Sequence, residues 1–302
     1  MADKLQINLS KRPRSGEKLW CDQPNWKDTL EQLTLPDEDK VMLEHFVEQG
    51  YLLIKGGLSR SIAGDAITEY EALIAENAVL RDLAKKNGRL PNIHKYTATG
   101  KQVFTRASEA LRFQDLLFGY RSSVYTSLYF EYGTQQSIHR DVPVFRTQPE
   151  DFYFGVWYGL EDATVENGAL RAIPGGHRVN SVDQFALAAR HTNDADSIHP
   201  SESPMWAIYQ TAVAEQCKQQ GLKEISIEME KGDVLIWHPL LPHGGGKILS
   251  EQQTRHSIVY HVVPEGCPVY QMDVFFNRTK QDVSDLASWN YDLFEGRLLV
   301  AR

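Results

Sequence analysis

Two stretches of the chain carry residue types that do metal chemistry. In Gln136-Ser137-Ile138-His139-Arg140-Asp141 an imidazole and a carboxylate stand at i and i+2, and on extended backbone such side chains share one face. One short segment can therefore offer a nitrogen and an oxygen to a single ion. Further along, "GDVLIWHPLLPHGGG" turns at Gly232-Asp233, runs through an apolar strand ended by Pro239 and Pro242, and sets His243 before three glycines. Glycines let backbone approach a neighbouring group closely. With His243 as third ligand, the set is a two-histidine, one-carboxylate triad, which leaves coordination positions open and is the pattern of non-haem Fe(II) oxygenases. With ten histidines in the chain, His139-x-Asp141 alone would read as a solvated turn. His238 is the rival third ligand, although its apolar neighbours suit a buried hydrogen-bonded histidine or one that supports a ligand.

Arg255-His256-Ser257 follows on another β-type run, "RHSIVYHVV". A guanidinium fork and a hydroxyl on one strand face are suited to grip a carboxylate, which suggests an anionic cosubstrate reaching from arginine to metal. Taken alone, Arg255 would be a surface ion-pair residue.

The elements that position these groups are legible in outline. From Asp37 the pattern is helix, the short strand "YLLIKGGL", then one long helix through Ile62, Ala66, Tyr70 and Leu73 that stops near Gly88. Beyond residue 120 come short runs rich in Val, Ile, Tyr, Phe and Trp, punctuated by Gly, Pro and Asn, as in an all-β sandwich or barrel. Residues 181–221 interrupt them with helical sequence and read as an insertion that covers one mouth of the β body. We divide the chain into an irregular arm (1–35), a single domain (36–275) and a C-terminal extension (276–302). A net charge of −8 and an acidic pI disfavour a nucleic-acid partner. No apolar run is long enough to cross a bilayer, and the polar opening lacks a secretory core, so the expected compartment is the cytoplasm. Three cysteines without CxxC spacing suggest neither a disulfide framework nor a thiolate zinc site.

Together these motifs, with "FVEQGYLLIKGGLS" and "LEDATVENGALRAIPGGHR", resemble the phytanoyl-CoA dioxygenase-like family of Fe(II)/2-oxoglutarate-dependent oxygenases over roughly residues 37–265. The resemblance implies a mostly β fold with flanking helices, a double-stranded β-helix or jelly roll. It implies His139, Asp141 and His243 as iron ligands and Arg255, assisted by Ser257, as partner of the distal carboxylate of 2-oxoglutarate, with Tyr129 also on the cosubstrate side. Fe(II), 2-oxoglutarate and O2 are the implied cofactors. The implied reaction hydroxylates a C–H bond of a small molecule, releasing succinate and carbon dioxide. Asp141 matters here, because related halogenases replace that carboxylate by Ala or Gly. Glu166-Asn167-Gly168 and Pro174-Gly175-Gly176-His177 match a structural turn, with Gly176 where serine is commoner, and His177 is expected to cap or bridge that loop. The loop after His243 departs from the family, with Gly244-Gly245-Gly246-Lys247 in place of serine and asparagine.

Substrate-facing candidates are the segment 92–106 with His94, Lys95 and Arg106, and Gln135, Val144, Phe145, Arg146, Trp157, Trp206 and Tyr209. Tyr153, Phe154 and Trp157 also suit the core. Two other readings stay open: a metal-binding jelly-roll module without oxygenase activity, and a zinc hydrolase, for which no HExxH or comparable set is visible.

Overall fold

In a computed structural model, the residues described are 12–179, 182–192, 198, 204–250, 252–270, 272–280 and 290–301. The β-rich half forms two facing sheets, with a small two-stranded pairing of Arg146–Thr147 and Val269–Tyr270 beside them. The larger has eight strands, seven of them in the order Tyr51–Ile54, Val234–Trp237, Phe154–Gly159, Ser257–Pro264, Ser122–Phe130, Arg297–Val300 and Tyr291–Phe294. The eighth, Leu90–Pro91, pairs with Ser122–Phe130. All these pairings are antiparallel except the contact of Leu299 with Val124. The smaller sheet comprises Ile225–Ile227, Leu170–Ala172 and His243–Gly245. An antiparallel bridge between His139 and His243 lengthens it.

The central strands read as unbroken apolar runs because both faces of the large sheet are covered. Phe154, Val156, Tyr158, Val234, Ile236, Ile258, Tyr260 and Val262 point outward into a core shared with helices Asp37–Gln49, Arg60–Glu76, Thr99–Thr105 and Ser108–Phe118. The alternate residues Trp157, Leu235 and Trp237 point inward and pack against Leu170, Ala172 and Ile227 of the small sheet. The period of two along each strand thus separates a helix-facing core from a second, inter-sheet layer that holds the candidate site.

Several boundaries differ from the sequence reading. The expected long helix is two, Arg60–Glu76 and Ala78–Asn87, because Asn77 is extended and its side chain caps Leu80 N–H at 3.1 Å. The arm is not irregular throughout: Trp26–Gln32 is helical, and Leu19, Trp20, Cys21, Trp26 and Leu30 are buried in the outer core. Residues 1–11 lie outside the described residues. The C-terminal region does not stand apart from the domain, since Tyr291–Phe294 and Arg297–Val300 form a hairpin that extends the large sheet. The insertion carries helices Gln184–His191 and Met205–Gln219 around its own small core, which includes Ala188, Tyr209, Val213 and Phe276. All three cysteines are free and buried. No helix among the described residues is long and apolar enough to cross a membrane.

Candidate metal centre

His139, Asp141 and His243 come together in the inter-sheet layer, each offering one ligand atom, and those atoms all lie within 4.8 Å of one another. Backbone pairing sets their spacing. His139 N–H donates to His243 O at 2.7 Å and His243 N–H to His139 O at 2.9 Å. The expected strand around His139 is only this bridge, and Asp141 begins a turn whose carbonyl accepts Val144 N–H at 2.9 Å. The glycines after His243 serve this approach. A Cβ on Gly244 would lie 2.6 Å from Gln136 O, and one on Gly246 would lie 2.5 Å from Ala169 O. It is protein backbone that crowds these positions.

The two rings are held in matching fashion. Nδ1 of His139 lies 2.8 Å from Ser137 O and Nδ1 of His243 lies 2.9 Å from Leu241 O. Each Nδ1–H donates to the carbonyl two residues before it, which fixes the tautomer and leaves the Nε2 lone pair for the Asp141 side. Nε2 of His139 and of His243 each lie 3.4 Å from a carboxylate oxygen of Asp141. Burial holds His243 down to about 4, so its ring is neutral. Asp141, itself buried, accepts Trp237 Nε1–H at 3.2 Å. Gly155 makes room for that indole, since a Cβ there would fall 2.0 Å from the Trp237 ring. Two imidazoles whose Nε2 atoms face one buried carboxylate present three donor atoms to one point, which a divalent cation would satisfy.

The triad opens into a cavity of about 350 Å³. Arg255 also lines it. Its Nη1 donates to Gly168 O, its guanidinium lies 4.9 Å from the Trp157 ring, and Nε has no partner. Burial pulls this guanidinium down to about 10. Trp157 Nε1 and Ser257 Oγ are likewise buried without partners. Two polar groups lacking a protein partner, Arg255 Nε and Trp157 Nε1, thus belong to residues of the cavity lining, where an anion would satisfy them. Arg89 is a second cation in the lining, stacked at 6.0 Å over Phe130. Burial lowers it and the Asp141 carboxylate raises it, with a net fall below its ordinary value.

The other expected residues divide. Val144, Phe145, Trp157 and Trp206 line the cavity. Ser257 shares the strand face of Val259 and His261, behind the lining. Tyr129 is on the opposite face: it stacks on Tyr70 at 3.7 Å and bonds His256 Nδ1 at 2.7 Å, so the cosubstrate contact expected of it does not match its position. The segment 92–106 is also elsewhere. His94 bonds Ser127 Oγ at 2.6 Å and Val300 O at 2.8 Å, and Arg106 pairs with Glu295 at 2.6 Å, against the C-terminal hairpin. Arg146 pairs with Glu150, Gln135 accepts Ile248 N–H, Tyr209 lies in the insertion's core, and Tyr153 and Phe154 are buried outside the lining. Sequence reasoning missed Arg89, Trp237 and His261. Strand parity from Leu235 and from Val259 could have found the last two, whereas nothing local to Arg89 signals its position.

A jelly roll with such a triad between its sheets defines a class of proteins built for metal-centred chemistry. The family model described as phytanoyl-CoA dioxygenase (PhyH) matches residues 46–257, and the chain belongs to that family. Human peroxisomal phytanoyl-CoA dioxygenase is 26% identical over 136 residues, 44% of this chain and 35% of its own. The Arabidopsis thaliana phytanoyl-CoA dioxygenase is 32% identical over 143 residues, 47% and 43% respectively. The alignments therefore span less than half the length of these relatives. Among solved structures, the epimerase SnoN in complex with Fe3+, alpha ketoglutarate and nogalamycin RO superposes with a TM-score of 0.59 at 16% identity, covering 89% of this chain and all of that one. EctD from S. alaskensis in its apoform gives 0.54 at 16% identity, covering 78% and 82%. At such identities the likeness is one of fold.

Proposed function

We propose that this chain is an Fe(II)- and 2-oxoglutarate-dependent dioxygenase that hydroxylates an unactivated C–H bond of a small molecule. The observation that carries the reading is the meeting of His139, Asp141 and His243 with the buried Arg255 in one cavity. Iron, 2-oxoglutarate and O2 together supply the oxidising power, the overall change being substrate C–H, 2-oxoglutarate and O2 to alcohol, succinate and CO2. His139, Asp141 and His243 would hold the metal, whose role would be to supply the oxidising chemistry at the cavity. Trp237 orients Asp141 through its indole N–H. Arg255 takes the far carboxylate of the cosubstrate, with Trp157 and Ser257 as neighbouring donors, and Arg89 adds the second positive charge that a dicarboxylate calls for. The inter-sheet layer buries His139, Asp141, His243 and Arg255, and this low-dielectric setting strengthens their charge interactions.

The test is an anaerobic titration of the metal-free protein with Fe(II) and 2-oxoglutarate, watching for the visible band of a keto acid chelated to ferrous iron. The expected result is a band in the wild type that His139→Ala abolishes. A folded, iron-loaded wild type without the band would point instead to a binding module or a hydrolase.

A further inference from the structure

His261 has no part in the arrangement described so far. It is buried at 4% exposure, lines the cavity, and its Nδ1 has no hydrogen-bond partner. Phe145 packs against it with ring centroids 4.1 Å apart and the planes tilted by 31°. Its strand, Ser257–Pro264, slips register against Ser122–Phe130 just after it, an irregularity of the kind that re-aims side chains beside active sites.

The remaining charge in the lining is accounted for. On the functional reading above, Asp141 faces the metal, and Arg255 and Arg89 face the two carboxylates of the cosubstrate. The remaining lining is mostly apolar and includes Val144, Phe145 and Trp206, the last with its ring 5.6 Å from that of His139, while Thr134 and Gln136 are its other uncharged polar side chains. A buried polar group aimed at a space without protein partners is satisfied by ligand or water, and a neutral imidazole offers one donor and one acceptor. Burial lowers His261 to about 4, consistent with a neutral ring. The cavity, about 350 Å³ in all, is at the small end of ligand pockets, roughly 300–1,000 Å³, and it must house the cosubstrate as well.

We infer that the part of the substrate entering this cavity is small, uncharged and largely apolar, and that it presents one hydroxyl or carbonyl group to His261, which positions the C–H bond facing the metal. This rests on the dioxygenase reading. It assigns His261 as a specificity-determining residue, with Trp206, Val144 and Phe145 as the apolar wall. A carboxylate or phosphate on the reacting part is disfavoured, since no free cation remains for it among the lining residues.

The experiment uses the full chain loaded anaerobically with Fe(II) and 2-oxoglutarate, with the chelate band recorded before any probe is added. Absence of the band at that stage is failure of the dioxygenase reading itself. The probes are three matched series on phenyl, cyclohexyl and indole scaffolds, each as hydrocarbon, neutral alcohol and carboxylate, with affinity read by ligand-observed NMR. The expected result is that alcohols bind several-fold to about tenfold tighter than the parent hydrocarbons, the size of one neutral hydrogen bond, and tighter than the carboxylates. His261→Phe removes the alcohol preference with 2-oxoglutarate affinity unchanged, and His261→Asn, which keeps a donor and an acceptor, retains part of it. Tighter binding of the carboxylates, an alcohol preference that survives His261→Phe, or no binding by any probe overturns the inference.

Discussion

Among the described residues, two clusters each bring together two histidines and one aspartate, and they differ in whether their ring nitrogens are turned toward a common point. In the first, His139 and His243 each spend Nδ1 on a carbonyl and turn Nε2 toward Asp141. In the second, His177 and His238 stand 5.2 Å apart with Asp22 beside them. There His238 Nε2 donates to Asp22 at 3.2 Å and its Nδ1 accepts Leu240 N–H. His177 spends Nε2 on Val47 O at 3.0 Å, and its other nitrogen lies against Gly50, where a Cβ would approach to 2.5 Å. In the second cluster both ring nitrogens of His238 and Nε2 of His177 are engaged, so the same residue types make a clamp that ties the arm and the 176–178 turn to the helix Asp37–Gln49. Chelation depends on which ring nitrogen the backbone consumes.

The largest expected contrast is between the two aspartates. Asp141→Ala abolishes hydroxylation and weakens Fe(II) binding by about 100-fold or more, since loss of even a supporting contact to a ligand costs 10–100-fold. Asp22→Ala leaves iron content unchanged. Metal analysis and succinate release on purified protein give both readings, and full turnover by Asp141→Ala would remove it from the ligand set.

Next come the two cavity arginines. Arg255→Ala raises the 2-oxoglutarate requirement by on the order of 10- to 100-fold, the worth of a hydrogen bond to a charged group. Arg89→Gln raises it by about tenfold, because Arg89 is only partly buried. Both retain iron. Titration of the chelate band measures each, and an unchanged 2-oxoglutarate affinity in Arg89→Gln would detach that residue from the cosubstrate.

His238→Ala tests the clamp directly. It keeps iron and costs about 1–3 kcal/mol of folding stability through the unpaired groups it leaves behind, as read by urea denaturation. Iron loss as complete as in His243→Ala would erase the distinction between the clusters.

The candidate metal-binding cluster is more legible in the sequence than its surroundings. His139, Asp141 and His243 stood out because ligand types at strand spacing and a glycine run are local signals, and Arg255 because it follows on the next β segment. Arg89 carries no local signal. It reaches the cavity only because Leu90 pairs with Tyr129 across the sheet, a contact between distant segments that periodicity does not encode. Tyr129 and the segment 92–106 were misplaced for the converse reason: aromatic and basic residues near the expected mouth looked available, yet strand parity turns Tyr129 to the helix side and the C-terminal hairpin engages His94 and Arg106. The break at Asn77 also escaped, because a helical stripe continues in sequence across a capping residue.

The last contrast concerns proton uptake by the second cluster. Burial, with His238 adding to it, holds His177 down to about 3, whereas an unfolded histidine titrates near 6.5. Between those values the unfolded chain binds a proton that the folded chain refuses. Stability therefore rises with pH through this window, is complete above about 6.5, and is lost progressively as pH falls toward 3. His177→Gln removes that proton while an amide N–H remains able to reach Val47 O. In metal-free protein, where the other histidines contribute equally to both chains, the variant should lower the slope of unfolding free energy against pH by about 1.4 kcal/mol per unit between pH 6 and 4. Equal slopes in urea titrations across that range would mean that His177 is protonated in the folded protein, and that its burial does not hold the ring neutral.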